Sequence, residues 1–189
     1  MSKNGFDFKE LEQFRDNLLA MKEDAPKIIE ELLIGEGVYA VRQAQNIAKK
    51  EKMYDTGAYI ANFHAGNKAM QMGESRNEYD GAPPRKKGNF YEIDFYNNLD
   101  YAGHLEKGFR SHFVPAKHLS GYYRSKFPNG MWVGPRPKKK GEIAYQEGKW
   151  VLKRAIKRTQ TTQNARLTRK WERKVREYVE NKGGGNNDG

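Results

Sequence analysis

The chain has 189 residues, 35 basic against 24 acidic side chains, a formal charge of +11 and no cysteine. Leu, Ile, Val and Phe make up 34 residues, about 18%, a level at which high charge begins to favour disorder; eleven Tyr, three Trp and six Met restore part of the buriable area. This excludes disulfide scaffolds, thiolate zinc sites, iron–sulfur clusters and cysteine nucleophiles. No stretch approaches the roughly 18 apolar residues of a membrane span, and MSKNGFDFKE lacks the basic and apolar regions of a signal peptide. The expectation is a soluble protein made in the cytoplasm, with one main domain and a thin core completed against partners or copies of itself.

Asp7 and Glu10 are spaced as a capping box, with Phe6 and Leu11 as the flanking staple. Leu11, Phe14, Leu18 and Met21 then recur at helical spacing. Pro26 suits the first turn of a second helix, whose apolar stripe of Ile29, Leu32, Leu33, Val41, Ala44 and Ala48 runs to Lys50. Gly35 and Gly37 each weaken that helix by about 1 kcal/mol relative to Ala and predict a bend. Beyond it, the residues APPRKKGN at 82–89 form a loop, and Phe90 to Tyr96 alternates as an aromatic strand closed by Asn97-Asn98. Its partner strand falls within Ile60 to Met72.

Residues 109–141, rich in Gly, Pro, Tyr and basic side chains, read as a long arm or loop with a short strand at Met131-Trp132-Val133. Trp150 to Arg158 is helical with Val151, Leu152, Ala155 and Ile156 inward. After a Thr/Gln/Asn stretch, Leu167, Trp171, Val175 and Tyr178-Val179 form the apolar face of a further helix. Arg166, Arg169, Lys170, Arg173, Lys174 and Arg176 occupy the opposite face. The predicted fold is α+β: two N-terminal helices packed on a small, mainly antiparallel sheet, a long arm, and C-terminal helices. Residues 1–160 form the main domain, 161–182 a basic C-terminal helix, and 183–189 a flexible Gly/Asn tail.

The chemistry-bearing residues are few. His104 with Glu106, or His112 with His118, can be imagined on a metal, but neither pair has the spacing that places two ligands on one helix face, and His64 stands alone. Structural histidines are the expectation, with no metal and no cofactor. Asp55-Thr56-Gly57 is the tripeptide of aspartic proteases, yet charged Lys49-Lys50-Glu51-Lys52 precedes it instead of an apolar strand, and no second copy is present. A helix exit is the plainer reading, with Gly57 in a tight turn and Asp55 as a cap. Between Arg136 and Arg176 stand 15 Lys/Arg and three Glu, a net of +12, with Lys138, Lys139, Lys140, Lys153, Arg154, Lys157, Arg158, Arg169, Lys170, Arg173 and Lys174 available to a partner. Such a cluster suits nucleic acid, an acidic protein surface or plain solvation. Trp150 and Trp171 lie on the apolar phase of their helices, which favours core packing over base stacking.

The order of these features resembles the tail completion or head–tail joining proteins of tailed bacteriophages, the minor tail protein Z type. The resemblance runs over roughly residues 8–158: Asp55-Thr56-Gly57-Ala58-Tyr59-Ile60-Ala61-Asn62, a strand pair, Asn97 to Gly108 with Tyr101-Ala102 and Glu106, then Trp132-Val133-Gly134 and a helix opened by Gly148-Lys149-Trp150-Val151-Leu152. Tyr54 departs from the usual lead-in, His104 replaces a more frequent Tyr, and the helix beyond Gln163 has no counterpart in the shortest members. The resemblance implies a non-enzymatic virion protein, assembled in the bacterial host cytoplasm. It would form a six-fold homo-oligomeric ring at the head-proximal end of a tail, touching tail tube, terminator or head-connector proteins and, non-specifically, packaged DNA, with no membrane. It also implies that Tyr101 and Leu105 bury, that Glu106 caps or pairs with a basic neighbour, that Gly108 reverses the chain, and that Asp55 to Gly57 fix the junction of long helix and sheet.

Overall fold

A computed structural model describes residues 9–181 apart from 54–56, 69, 72–76, 89 and 140–141. The proposed capping box at Asp7 and the Gly/Asn tail lie outside the described residues, as do Asp55, Thr56, Lys140 and the side chains of Leu11 and Phe14. The protein is α+β, built on two long helices. Helix α1 spans Lys9–Lys50 and α5 spans Val151–Asn181, about 63 and 46 Å at the standard rise. Between them lie α2 (Ala58–Ala61), β1 (Phe63–Ala65), β2 (Arg85–Lys87), β3 (Phe90–Glu92), β4 (Phe95–Asn97), α3 (Ala102–Lys107), β5 (Gly108–Arg110), β6 (His112–Val114), a 3-10 turn (Ala116–His118), α4 (Gly121–Lys126), β7 (Met131–Val133) and β8 (Tyr145–Glu147). Among the described residues no helix is long and apolar enough to cross a membrane.

Where sequence predicts two N-terminal helices, α1 is continuous through Pro26. A proline inside a helix costs about 3 kcal/mol, so tertiary contacts must hold both sides. Met21 and Ile28 are buried, while Pro26 itself is exposed and its ring turns away from the packed face. Asp24 accepts a 2.7 Å hydrogen bond from the Tyr178 hydroxyl of α5, and Glu31 pairs with Lys174 at 3.0 Å. The same clamp makes α5 one helix through the Thr/Gln/Asn stretch: Thr161 and Thr162 turn their hydroxyls back onto the carbonyls of Lys157 and Arg158.

Among the described residues the strands form four antiparallel two-stranded ribbons, where one small sheet is expected from sequence. The aromatic run Phe90 to Tyr96 changes partner midway. Its first half, β3, pairs with β2 across Lys86↔Tyr91; its second half, β4, pairs with β1 across His64↔Tyr96. The switch occurs at Ile93-Asp94, where the Asp94 carbonyl accepts from Gly66 and its N–H donates to Asn67. The expected arm at 109–141 is a folded unit, with β6 and β7 paired across Phe113↔Trp132. The strand expected at Met131-Trp132-Val133 is β7. β5 meanwhile pairs with β8 at the arm's root.

The core lies where the last third of α1 meets β1 and the first turns of α5: Val41, Ala44, Ile47 and Ala48 pack with Tyr59, Phe63, Leu99, Ala102, Val151 and Ala155. Small residues on α1 let the elements approach closely. A Cβ on Gly37 would stand 2.7 Å from the Ala65 Cβ and 3.1 Å from Ile93 Cδ1, so this glycine serves packing within a continuous helix. Gly37→Ala should therefore lower stability by about 1–3 kcal/mol, because overpacking outweighs the roughly 1 kcal/mol gain in helix propensity. Urea unfolding followed by circular dichroism measures it, and an unchanged or raised midpoint would refute the close approach.

Candidate functional site

Of the motif residues, Leu105, Glu106, Gly108 and Trp150 meet at the start of α5. Glu106, at the end of α3, is buried, and its Oε1 accepts two hydrogen bonds: 2.8 Å from the Tyr59 hydroxyl and 2.9 Å from the Leu152 backbone N–H. Leu152 is the second residue of α5, so the carboxylate satisfies one of the helix's unpaired amides and faces the positive end of its dipole. Glu106 therefore caps α5, one of its two expected roles. The Tyr59 hydroxyl is pushed well above its ordinary range, first by burial and then by the Glu106 charge, so it stays protonated and donating.

The backbone closes the junction around this carboxylate. The Glu106 and Leu105 carbonyls accept from the N–H groups of Trp150 and Lys149, at 3.1 and 2.8 Å. The two chain segments cross so closely that a Cβ on Gly148 would lie 2.2 Å from the Glu106 carbonyl oxygen, and one on Gly108 2.3 Å from that of Gln146. Gly108 also has φ +87°, so both space and backbone conformation demand glycine where the chain reverses. Gly57, with φ +71° and nothing near its missing Cβ, is required by conformation alone, at the entry to α2.

The remaining motif residues divide. Ala102 is buried and Leu105 packs against the core, but Tyr101 is 43% exposed, contrary to expectation. Trp150 departs further from its expected place: it is 46% exposed, with Lys153 Nζ 5.4 Å from the ring centroid. Its φ of +50° places it before the helix proper, so helical periodicity does not set its direction. Ile156 is likewise outward at 43%. Just past α1, Glu51 bonds Arg154 at 2.7 Å and Lys149 at 3.4 Å, tying the ends of the two long helices together.

The basic C-terminal region is not one free surface. Arg166 and Lys170 both reach Glu36, which is buried; Arg166 binds it through two nitrogens and lies with its Cζ 3.7 Å from the Tyr39 ring centroid. Lys174 pairs with Glu31, Arg173 with Glu177, and Arg154 with Glu51. Residues 166, 170, 174 and 178 thus form the row that meets α1: of the predicted face of Leu167, Trp171, Val175 and Tyr178-Val179, Tyr178 lies on it and the others are one position away. Trp171 and Val179 are each 38% exposed as a result. Lys138, Lys139, Lys153, Lys157, Arg158 and Arg169 are exposed and make no ion pair among the described residues.

Sequence reasoning missed four organising side chains: Glu36, Glu51, Tyr59 and Asp80. Asp80 accepts from the Tyr96 hydroxyl and from the N–H groups of Lys68 and Ala82, holding the loop before β2. Glu36 and Tyr59 stand out in the sequence as an acid and a hydroxyl among apolar neighbours, whereas Glu51 and Asp80 lie in polar stretches with no such signal, and the partners lie far along the chain. An apolar-walled cleft of about 410 Å3 opens between α3, β5 and β6, lined by Tyr101, His104, Leu105, Phe109, Arg110, His112 and Val133. His104 meets Phe109 edge-on there at 6.0 Å. Among the described residues no group of three or more His, Asp or Glu could hold a metal ion. Compared with family models, curated proteins and solved structures, the chain matches none.

Two outcomes test the junction. Glu106→Ala leaves the buried Tyr59 hydroxyl and the Leu152 amide unpartnered and should lower stability by about 2–4 kcal/mol; Glu106→Gln keeps an acceptor oxygen and should lose only about 1 kcal/mol. Equal losses in thermal unfolding would rule out the capping role. The second outcome concerns pH. Hydrogen bonds from Arg154 and Lys149 hold the Glu51 carboxyl below its ordinary 4.5. Its contribution is therefore present above that value and disappears as pH falls through the lower folded-state value. Unfolding midpoints of wild type and Glu51→Gln should differ at neutral pH and converge as pH falls below the ordinary carboxylate range; a gap independent of pH would contradict the pairing.

Proposed function

We propose that the protein is a structural subunit of a ring at the head-proximal end of a phage or phage-like tail, in a tail completion, termination or neck role, joining the tail to the head connector. The observation that carries the reading is the ordered motif series from Asp55-Thr56-Gly57 through Glu106 and Gly108 to Trp150. In support, Glu106 and Gly108 do architectural work at one helix junction, as a scaffold motif requires. Further support comes from large apolar side chains that the chain leaves outside: Phe90 at 76%, Tyr122 at 69%, Ile143 at 60% and Leu19 at 53% exposed. They sit on separate elements, and a ring subunit needs distinct patches for its two neighbours and for the rings above and below.

Nucleic-acid binding is the second reading, favoured by the six exposed cations Lys138, Lys139, Lys153, Lys157, Arg158 and Arg169. Six phosphate contacts would give binding with a log–log salt slope on the order of minus five. The pairing of Arg154, Lys170, Arg173 and Lys174 with carboxylates removes much of the cluster's attraction for phosphate. Native mass spectrometry should show an assembly of six 21.9 kDa chains, alone or on added tail tubes. Particles lacking the protein should have tails that end abnormally or fail to join heads. A monomer at every concentration, with no affinity for tubes, would reject the ring.

A further inference from the structure

Resting on the ring reading, one pair of surfaces specifies how neighbouring subunits meet. From Lys107 to Gly141 the chain carries nine Lys/Arg and not one Asp or Glu. At the overall frequency of 24 acidic residues in 189, these 35 positions would hold about four. Lys107, Arg110, Lys117, Arg124, Lys126, Arg136, Lys138 and Lys139 are all exposed. Surface charge that serves solubility alone normally mixes both signs, because a single-sign field repels itself.

The segment is also preorganised. β6 and β7 pair at its root, and Arg124 donates to the carbonyls of Ala116, Lys117 and Leu119, each at 3.1 Å, fixing the 3-10 turn against α4. Phe113 and Tyr122 are exposed within it, and Lys126 Nζ stands 6.0 Å from the Tyr122 ring centroid. A rigid basic platform with exposed aromatic rings loses little entropy on docking.

The complementary surface lies on the N-terminal part of α1. Glu12, Asp16, Leu19 and Glu23 follow one another at steps of four, three and four, which places them on one face of the helix. All four are exposed, and Leu19 presents an apolar side chain among the three carboxylates. Asp16 pairs with adjacent Arg15 and Lys27 with Asp24, so among the described residues Glu12 and Glu23, at the two ends of the stripe, supply its uncompensated negative charge. Asn17, Met21 and Ile28 are the buried positions of this stretch, so the acidic stripe faces away from the packed side.

We infer that the basic, aromatic arm of one copy docks on the acidic outer stripe of α1 of the next copy. The contact joins two different patches, so it is heterologous, and repeating it closes a ring or grows an open chain. Opposite charge sets orientation and encounter rate, and Tyr122 and Phe113 against Leu19 supply the apolar centre.

Charge reversal tests it on the full chain. Lys117→Glu with Lys126→Glu reverses the arm; Glu12→Lys with Glu23→Lys reverses the stripe. Each pair should weaken self-association at least tenfold by analytical ultracentrifugation, with unfolding midpoints unchanged because all four side chains are exposed. Mixing the two variants, or placing all four substitutions in one chain, should restore assembly. Open chains with the same reversal and rescue would keep the contact and remove the ring. A closed ring indifferent to every variant would overturn the contact alone, and monomers throughout would overturn both. Arm variants that leave assembly intact but lose salt-steep retention on duplex DNA would reassign the arm to nucleic acid and overturn the inference.

Discussion

The buried carboxylate of Glu106 joins three segments at the edge of the core they share. It holds the α2 tyrosine through a hydroxyl, carries α3 on its own backbone, and supplies the missing acceptor at the first turn of α5. A helix start buried without such an acceptor would leave amides unpaired at roughly 1–3 kcal/mol each. The direction of α5 is set at this point, and so is the register of every contact α5 makes with α1. Gly108 and Gly148 permit the backbone crossing that brings the carboxylate within reach.

From that start the two long helices run together on a seam that is polar at intervals. Glu36 with Arg166 and Lys170, Glu31 with Lys174, and Asp24 with Tyr178 alternate with buried Met21 and Ile28. Burying Glu36 costs desolvation, and a hydrophobic seam of the same volume could be more stable. The ion pairs specify pairing: a shift of one helical turn would strand Glu36 without its guanidinium. A thin-cored chain gains in this way a defined partner face for α5 without a large stock of aliphatic residues. The rows next to the seam, with Trp171 and Val179 half out of water, remain available for contact.

Much of the architecture was legible beforehand. The apolar spacing from Leu11 to Met21, from Pro26 to Lys50, from Trp150 to Arg158 and from Leu167 to Val179 indicates helices, the aromatic alternation at 90–96 indicates strand, and Met131-Trp132-Val133 reads as the short strand it forms. The misreadings share a cause. Pro26 reads as a helix start because its local preference is strong, whereas contacts from residues some 150 positions away hold the helix through it. The aromatic run reads as one strand because alternation is blind to a change of partner. Helical period points Trp150 inward, but that period applies only once the helix has begun.

Sequence by itself determined the α+β composition, the helical ends of the chain, the strands at 90–96 and 131–133, and the concentration of charge in particular stretches. Each of these follows from neighbours within a turn or two, and local spacing is enough to decide them. Sequence did not determine β2 within the expected loop at 82–89 or the other short elements of 108–147. Only the tertiary structure decided which row of α5 faces α1, because adjacent residues on a helix differ by about 100° and the apolar and basic rows are one position apart. It likewise decided that much of the basic cluster is spent on carboxylates of the same chain. It decided too that Glu106, ordinary in the sequence, is the cap on which α5 begins. Such facts depend on pairings across tens to more than a hundred residues, and no local pattern encodes them.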